Sequence, residues 1–280
     1  MKKKILISFF LVITVVPVLA GLIYAFLYSL GITGVISKGL TFSYWKEILY
    51  SSGFFLSLFY SLIIGAITIF ISFFIAYFIY PFFINGSGKG QLIMFIPLSI
   101  PPMVWAFYHY LMFSGAGFIS RLSYHLGLIS NPGEFPVLVN DNFGTIVILT
   151  HVVMAFPFFT LYFIRIHNSE KIDRLTTLAK NFGASDSEVS WRVRLPIIFL
   201  KSRVLLILYL VFVAGSYEVP LLLGSQSPRM ITVFTLEKMQ RFDLYDKPVA
   251  YGAAFLYAIV VLIIVLFSLK RSFRTDEGRV

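Results

Sequence analysis

The sequence predicts an all-α membrane protein with six transmembrane helices and both termini in the cytoplasm. Three observations lead there. Of 280 residues, 58% are apolar and only 13% are charged, against about 45–50% and about 25% in soluble domains. The apolar residues gather in six stretches, each long enough to cross the hydrocarbon core as a helix. Lys and Arg are unevenly shared between alternate connections, 16 of the 23 on one set and 7 on the other. The richer set marks the cytoplasmic side.

The stretches are residues 5–30, 54–79, 92–113, 145–163, 204–223 and 250–269. None alternates strictly as a barrel strand does, and a helix is the other way to satisfy a backbone in lipid. The first stretch has a basic start (Lys2, Lys3, Lys4) and small residues at Ala20 and Gly21. A cleaved signal peptide is the alternative there. Its apolar run exceeds the usual signal core of about 7–15 residues, which favours an uncleaved anchor. The richer connections are the N-terminus, the loop at Lys89, the segment 165–203 and the tail from Lys270. The net charge of +10 is therefore a topological signal and an attraction to anionic headgroups, and nucleic acid is not an expected partner. The chain contains no cysteine, which excludes a disulfide scaffold, a thiolate metal site and a cysteine nucleophile. No cofactor or metal is expected. With no internal repeat, residues 1–280 form a single transmembrane domain.

Segment 165–203 is the informative one. Ile172, Leu175, Ala179 and Phe182 recur at helical spacing. Gly183 stands where a helix ends in a left-handed residue. Ser185 and Glu188 have the spacing of a capping box, so a second short helix begins there, with Val189, Trp191 and Val193 free for contact. Leu195-Pro196 is expected to close it, because the residue before proline leaves the helical region. Two short amphipathic helices cannot bury their apolar faces alone. They need the bilayer surface or a protein partner.

This segment resembles the cytoplasmic signature of permease subunits of binding-protein-dependent ABC importers: Glu-Ala-Ala, three residues, Gly, nine residues, then Ile-x-Leu-Pro. Thr177-Leu178-Ala179 occupies the triplet, Gly183 the glycine, and Val193-Arg194-Leu195-Pro196 the close. Gly183-Ala184-Ser185 is also a form common in that family. The departures are Thr177 for the acidic residue and Leu178 for the first alanine. Thr177 can hydrogen-bond but cannot form an ion pair, and Leu178 points to an apolar contact in its place.

The resemblance implies a type I, methionine-importer-like permease fold in a bacterial plasma (inner) membrane. It implies three protein partners: a dimer of ATPase subunits, a second permease (a homologous sister or a second copy) and an extracytoplasmic substrate-binding protein. The ATPase-coupling residues it implies are Thr177, Leu178, Ala179, Phe182, Gly183, Ala184, Ser185, Val193, Leu195 and Pro196. ATP hydrolysis would belong to the partner, so the chain itself is not expected to be an enzyme. Gly86-Ser87-Gly88-Lys89-Gly90 lacks the spacing of a phosphate-binding loop and reads as a tight turn.

Ionisable groups at membrane depth point to function. His109, His151 and Glu218 are the candidates, with packed, hydrogen-bonded roles as the alternative. Pro97, Pro101 and Pro102 break the third stretch where freed backbone must face protein or water. Pro220 is expected to break the fifth beside Glu218. Candidate substrate-path residues are Ser99, Trp105, His109, Pro157, Tyr217 and Glu218. The run Gly215–Gly224 is most similar to the branch that carries polyamines, thiamine, iron or oxyanions such as sulfate. A carboxylate in the path suits a small cation such as a polyamine. Loops 114–144 and 224–248 are where the resemblance places the binding protein. A transporter driven by an ion gradient is the alternative, but the inverted repeats usual there are not visible. An intramembrane enzyme would need a motif such as H-E-x-x-H or G-x-S-x-G, and neither is present.

Overall fold

The computed structural model describes residues 2–37, 39–84 and 88–277. Asn85, Gly86 and Ser87 lie outside the described residues; the rest of the predicted glycine-rich turn, Gly88 to Gly90, opens a helix instead. Of the chain, 78% is helical, with no strands among the described residues.

In chain order the helices open with α1 (Lys2–Ser29), α2 (Ser43–Tyr50), α3 (Ser52–Ile79) and α4 (Pro81–Ile84). Next come α5 (Gly88–Ile93), α6 (Phe95–Ser99), α7 (Pro102–Phe113) and α8 (Phe118–His125). The long α9 (Thr145–Ser169) leads to α10 (Ile172–Asn181), α11 (Asp186–Val189) and, through a π-turn at Ser190–Arg194, α12 (Leu195–Ala214). The chain ends with α13 (Glu218–Leu223), α14 (Ile231–Gln240) and α15 (Asp246–Glu277).

Five helices are long and apolar enough to cross a bilayer: Phe9–Ser29, Ser52–Ile79, Thr145–Ser169, Asp186–Ala214 and Asp246–Lys270. A sixth crossing requires a bent pair, Gly90–Ser99 with Pro102–His125, that turns by 90°. The third predicted stretch is therefore not one straight helix. The physical reason is Pro101 and Pro102, which cannot donate to the carbonyls of Pro97 and Leu98 four residues back.

The chain divides into two compact units. The first comprises residues 1–59 and 230–263. There Trp45 Nε1 donates to Ser29 Oγ at 3.0 Å, and Tyr251 packs on Tyr24 and Tyr28 with ring centroids 5.8 and 4.4 Å away. At Gly252, where α15 passes α2, a Cβ would meet the Cδ1 end of Ile48. Lys238 Nζ lies 2.8 Å from Asp246 and 3.4 Å from Glu47. Asp246 sits in the first turn of α15, where a carboxylate complements the helix dipole.

The second unit comprises residues 60–229 and 264–280. Its core is built from α3, α9, α10 and α12, with Tyr80, Phe159, Phe163, Ile172 and Ile198 fully buried. α13 packs on α7 and α9. Thr150 Oγ1 lies 3.0 Å from His109 Nδ1 and ties α9 to α7.

Two more expectations are corrected here. Leu195-Pro196 does not end a helix: Leu195 is α-helical (φ −59°, ψ −48°) and Pro196 stands in the first turn of α12. The preceding π-turn absorbs the misfit of the proline ring. The fifth stretch does break, but at Gly215–Tyr217, ahead of Glu218. Pro220 lies in the first turn of α13, where its missing N–H would have had no partner in any case.

Candidate functional site

The segment after α9 folds into a braced elbow. Lys171 adopts a left-handed conformation (φ 51°) and turns the chain into α10. Three contacts fix that turn. His167 Nε2 lies 3.0 Å from Asp173 Oδ1, Lys201 of α12 lies 2.9 Å from Glu170, and Ile172 is fully buried. α10 ends in a Schellman motif: Gly183 N–H donates to Lys180 O at 2.9 Å and Ala184 N–H to Ala179 O at 3.1 Å. Gly183 has φ 88°, a conformation that L side chains resist.

Ser185 then opens α11 with the expected capping box. Glu188 N–H donates to Ser185 Oγ at 3.3 Å, and Ser185 N–H to Glu188 Oε2 at 3.1 Å. Lys180 Nζ lies 2.6 Å from Asp186 Oδ1 and clamps the two short helices together.

The faces of α10 divide clearly. Ile172 and Thr176 face the core. Leu175, Leu178 and Phe182, spaced three and four apart on one face, stay in the open at 40%, 54% and 91% exposure. Of the predicted stripe, then, Ile172 is the anchor, Leu175 and Phe182 point outward, and Ala179 is half-buried. Thr177 is exposed, and its hydroxyl donates to Asp173 O at 2.9 Å. Ala184, Val193 and Leu195 are half-buried, and Ser185 and Pro196 are exposed. Trp191 adds a half-exposed ring at the far side of the elbow.

A second candidate site runs along the break between α6 and α7. A cleft of about 490 Å³ is lined by residues 97–102 together with Met154, Phe158, Leu205, Leu208, Tyr209 and Phe212. A neighbouring cleft of about 340 Å³ shares Pro102, Met154 and Phe212 with it and adds His151 and residues 215–219. Ser99 thus lines the first cleft, and Tyr217 and Glu218 the second, together with residues of α9 and α12. Trp105, His109 and Pro157 lie outside both linings. Trp105 Nε1 donates to Pro97 O at 3.1 Å, His109 is buried against Thr150, and Pro157 is buried inside α9. His151 Nδ1 lies 2.8 Å from Val147 O. No Lys or Arg belongs to either lining. Among the described residues, no group of three His, Cys, Asp or Glu could hold a metal ion.

Met154, Phe158, Leu205, Tyr209 and Phe212 were not expected in the path. These side chains are apolar or aromatic like most of α9 and α12, so residue type alone does not mark the face that lines a cavity.

A family model described as "Binding-protein-dependent transport system inner membrane component" matches residues 90–274. The chain belongs to this family of permeases. It is a multi-pass membrane protein, the permease component of a binding-protein-dependent ABC importer, and not itself an enzyme. No curated protein sequence matches the chain. Among solved structures it is similar to a chain of a bacterial alginate ABC transporter in complex with a periplasmic protein bound to alginate pentasaccharide. The TM-score is 0.75 at 18% identity, with 98% of this chain and 93% of that chain covered. It is similar as well to a chain of a bacterial ABC transporter involved in import of the acidic polysaccharide alginate. That match has a TM-score of 0.73 at 18% identity and covers 98% and 94%. At this identity the likeness is one of fold.

Proposed function

We propose that the elbow at 165–203 is the ATPase-coupling loop of this permease, within a single transmembrane domain spanning residues 1–280. Thr177, Leu178, Ala179, Phe182, Gly183, Ala184, Ser185, Val193, Leu195 and Pro196 form or brace its docking surface. One observation carries the reading: Leu175, Leu178 and Phe182 are presented outward on a helix that is capped, clamped and anchored through Ile172. An apolar face held this stiffly suits a preformed protein cleft. Leu178 then gives apolar contact where the related signature has a small residue, and Thr177 a hydroxyl where it has a carboxylate.

The bent pair counts as the third of six crossings, and both termini face the cytoplasm, in accord with the excess of Lys and Arg on that side. The complete importer pairs this chain with a second permease, a dimer of ATPase subunits and an extracytoplasmic binding protein, in the bacterial inner membrane.

The path along Ser99, Tyr217 and Glu218 receives a small cation, with a polyamine as the first candidate. Glu218 shares its cleft with Phe212, and Phe158 and Tyr209 line the neighbouring one; a carboxylate in an aromatic-lined cleft favours positive charge. The absence of Lys and Arg from the linings gives no partner for an acidic polysaccharide such as alginate. Trp105, His109 and Pro157 support this path from behind.

The deciding experiment is purification of the tagged chain from the native membrane. A nucleotide-binding subunit should co-purify in stoichiometric amount. Its absence, with ATP-independent uptake, would refute the reading.

A further inference from the structure

One hydroxyl joins α3 to the elbow. Tyr77 is buried near the end of α3, with its ring parallel to Phe73. Its hydroxyl donates to Ser190 O at 2.8 Å and lies 2.7 Å from Ser190 Oγ. Ser190 is the first residue of the π-turn, and Leu195 N–H donates to that same carbonyl. A carbonyl oxygen has two lone pairs, and both are engaged here. One closes the wide turn, and the other is held by α3.

Pro196 explains why the turn is wide. In a regular helix its ring would press on the carbonyl four residues back, and it has no N–H to give. Inserting one extra residue in the turn relieves the clash while the helix continues. Such wide turns recur at functional positions. The Ser190 carbonyl is therefore where the proline, the turn and a neighbouring span meet.

We infer that Tyr77 is a positioning residue for coupling. Its hydroxyl fixes the π-turn to α3, so that a displacement of α10 and α11 turns α12 as one body instead of being lost in the joint. This rests on the coupling role proposed for 165–203.

The chain contains no cysteine, so a thiol introduced in it is the one place on this chain that maleimide labels, read after the subunits are separated. Phe212 is exposed and lines the path, which makes F212C the reporter. The complex with its co-purified ATPase is reconstituted in liposomes, and the rate of maleimide modification is measured with and without ATP and vanadate. With Tyr77 intact, trapping changes the rate. In Y77F the ATP-dependent change shrinks about two- to tenfold, the range set by a single hydrogen bond, while complex yield and ATP hydrolysis are kept. P196A, which permits a regular turn, shrinks the change as well and decides the matter should Y77F fail to assemble. A full response in assembled Y77F, or in P196A, overturns the inference. An F212C complex with Tyr77 intact whose labelling ignores ATP overturns the proposed coupling role instead, so the two failures are distinguishable.

Discussion

The Trp105 indole donates to the Pro97 carbonyl at 3.1 Å, across the break between α6 and α7. The acceptor is the carbonyl that Pro101 leaves without a helical partner. The indole thus repairs the bend from α7, and it does so from a residue outside both cleft linings.

Trp105→Phe keeps the ring and removes the donor. It should destabilise the protein by about 0.5–1.5 kcal/mol, the net worth of a part-buried hydrogen bond. Thermal unfolding in detergent checks this as a lowered midpoint, with the sixth crossing still formed. An unchanged midpoint would mean that water or lipid already serves the carbonyl.

Phe182 is 91% exposed and Leu178 54%. Replacing either by Asp leaves the fold intact but places a charge in the docking face. Leu178→Asp and Phe182→Asp should each lower recovery of the ATPase subunit by roughly tenfold or more, since burying an unpaired charge is costly. Quantitative co-purification reads this directly. Undiminished recovery from both variants would move the docking face elsewhere.

Gly183 has φ 88°, and a Cβ there would meet open space. The penalty of substitution is therefore conformational alone, roughly 1–2 kcal/mol for most residues. Gly183→Asn, which tolerates this region, should keep ATP-coupled uptake. Gly183→Val should lose it while still inserting in the membrane. Equal uptake by the two variants in vesicles would separate coupling from the cap.

Glu218 is exposed in the path beside Tyr217 and His151. Glu218→Gln removes the charge and keeps the shape. For spermidine, KM should rise about tenfold, in line with a lost charge-assisted hydrogen bond, with assembly unchanged. Unaltered kinetics would give Glu218 a structural role.

How much of this was legible in the sequence depends on where each constraint is written. The six apolar stretches, the left-handed Gly183 and the Ser185–Glu188 capping box are local, and their residue types declare them. The π-turn is not local. Pro196 says only that a regular turn is unfavourable, and both a helix end and a widened turn meet that demand. The side chain that favours the second, Tyr77, lies more than a hundred positions away. The break before Glu218 was misplaced for a related reason. Proline is costly inside a helix but acceptable in its first turn, so Pro220 marked a helix start instead of a helix end. The path was half legible: Ser99, Tyr217 and Glu218 carry polar signals, whereas Phe158, Tyr209 and Phe212 are lost among the 31 phenylalanines and 16 tyrosines of the chain.

From Asp186 to Ala214 the backbone runs as one helical rod of 29 residues, about 43 Å at 1.5 Å per residue. Pivoted at its lower tip, a tilt of only about 5° would sweep the upper tip through an arc of roughly 4 Å, a figure that follows from that length alone. The rod stops at Gly215, three residues short of Glu218. Under the proposed coupling role, the largest excursion is thus delivered next to the acidic side chain.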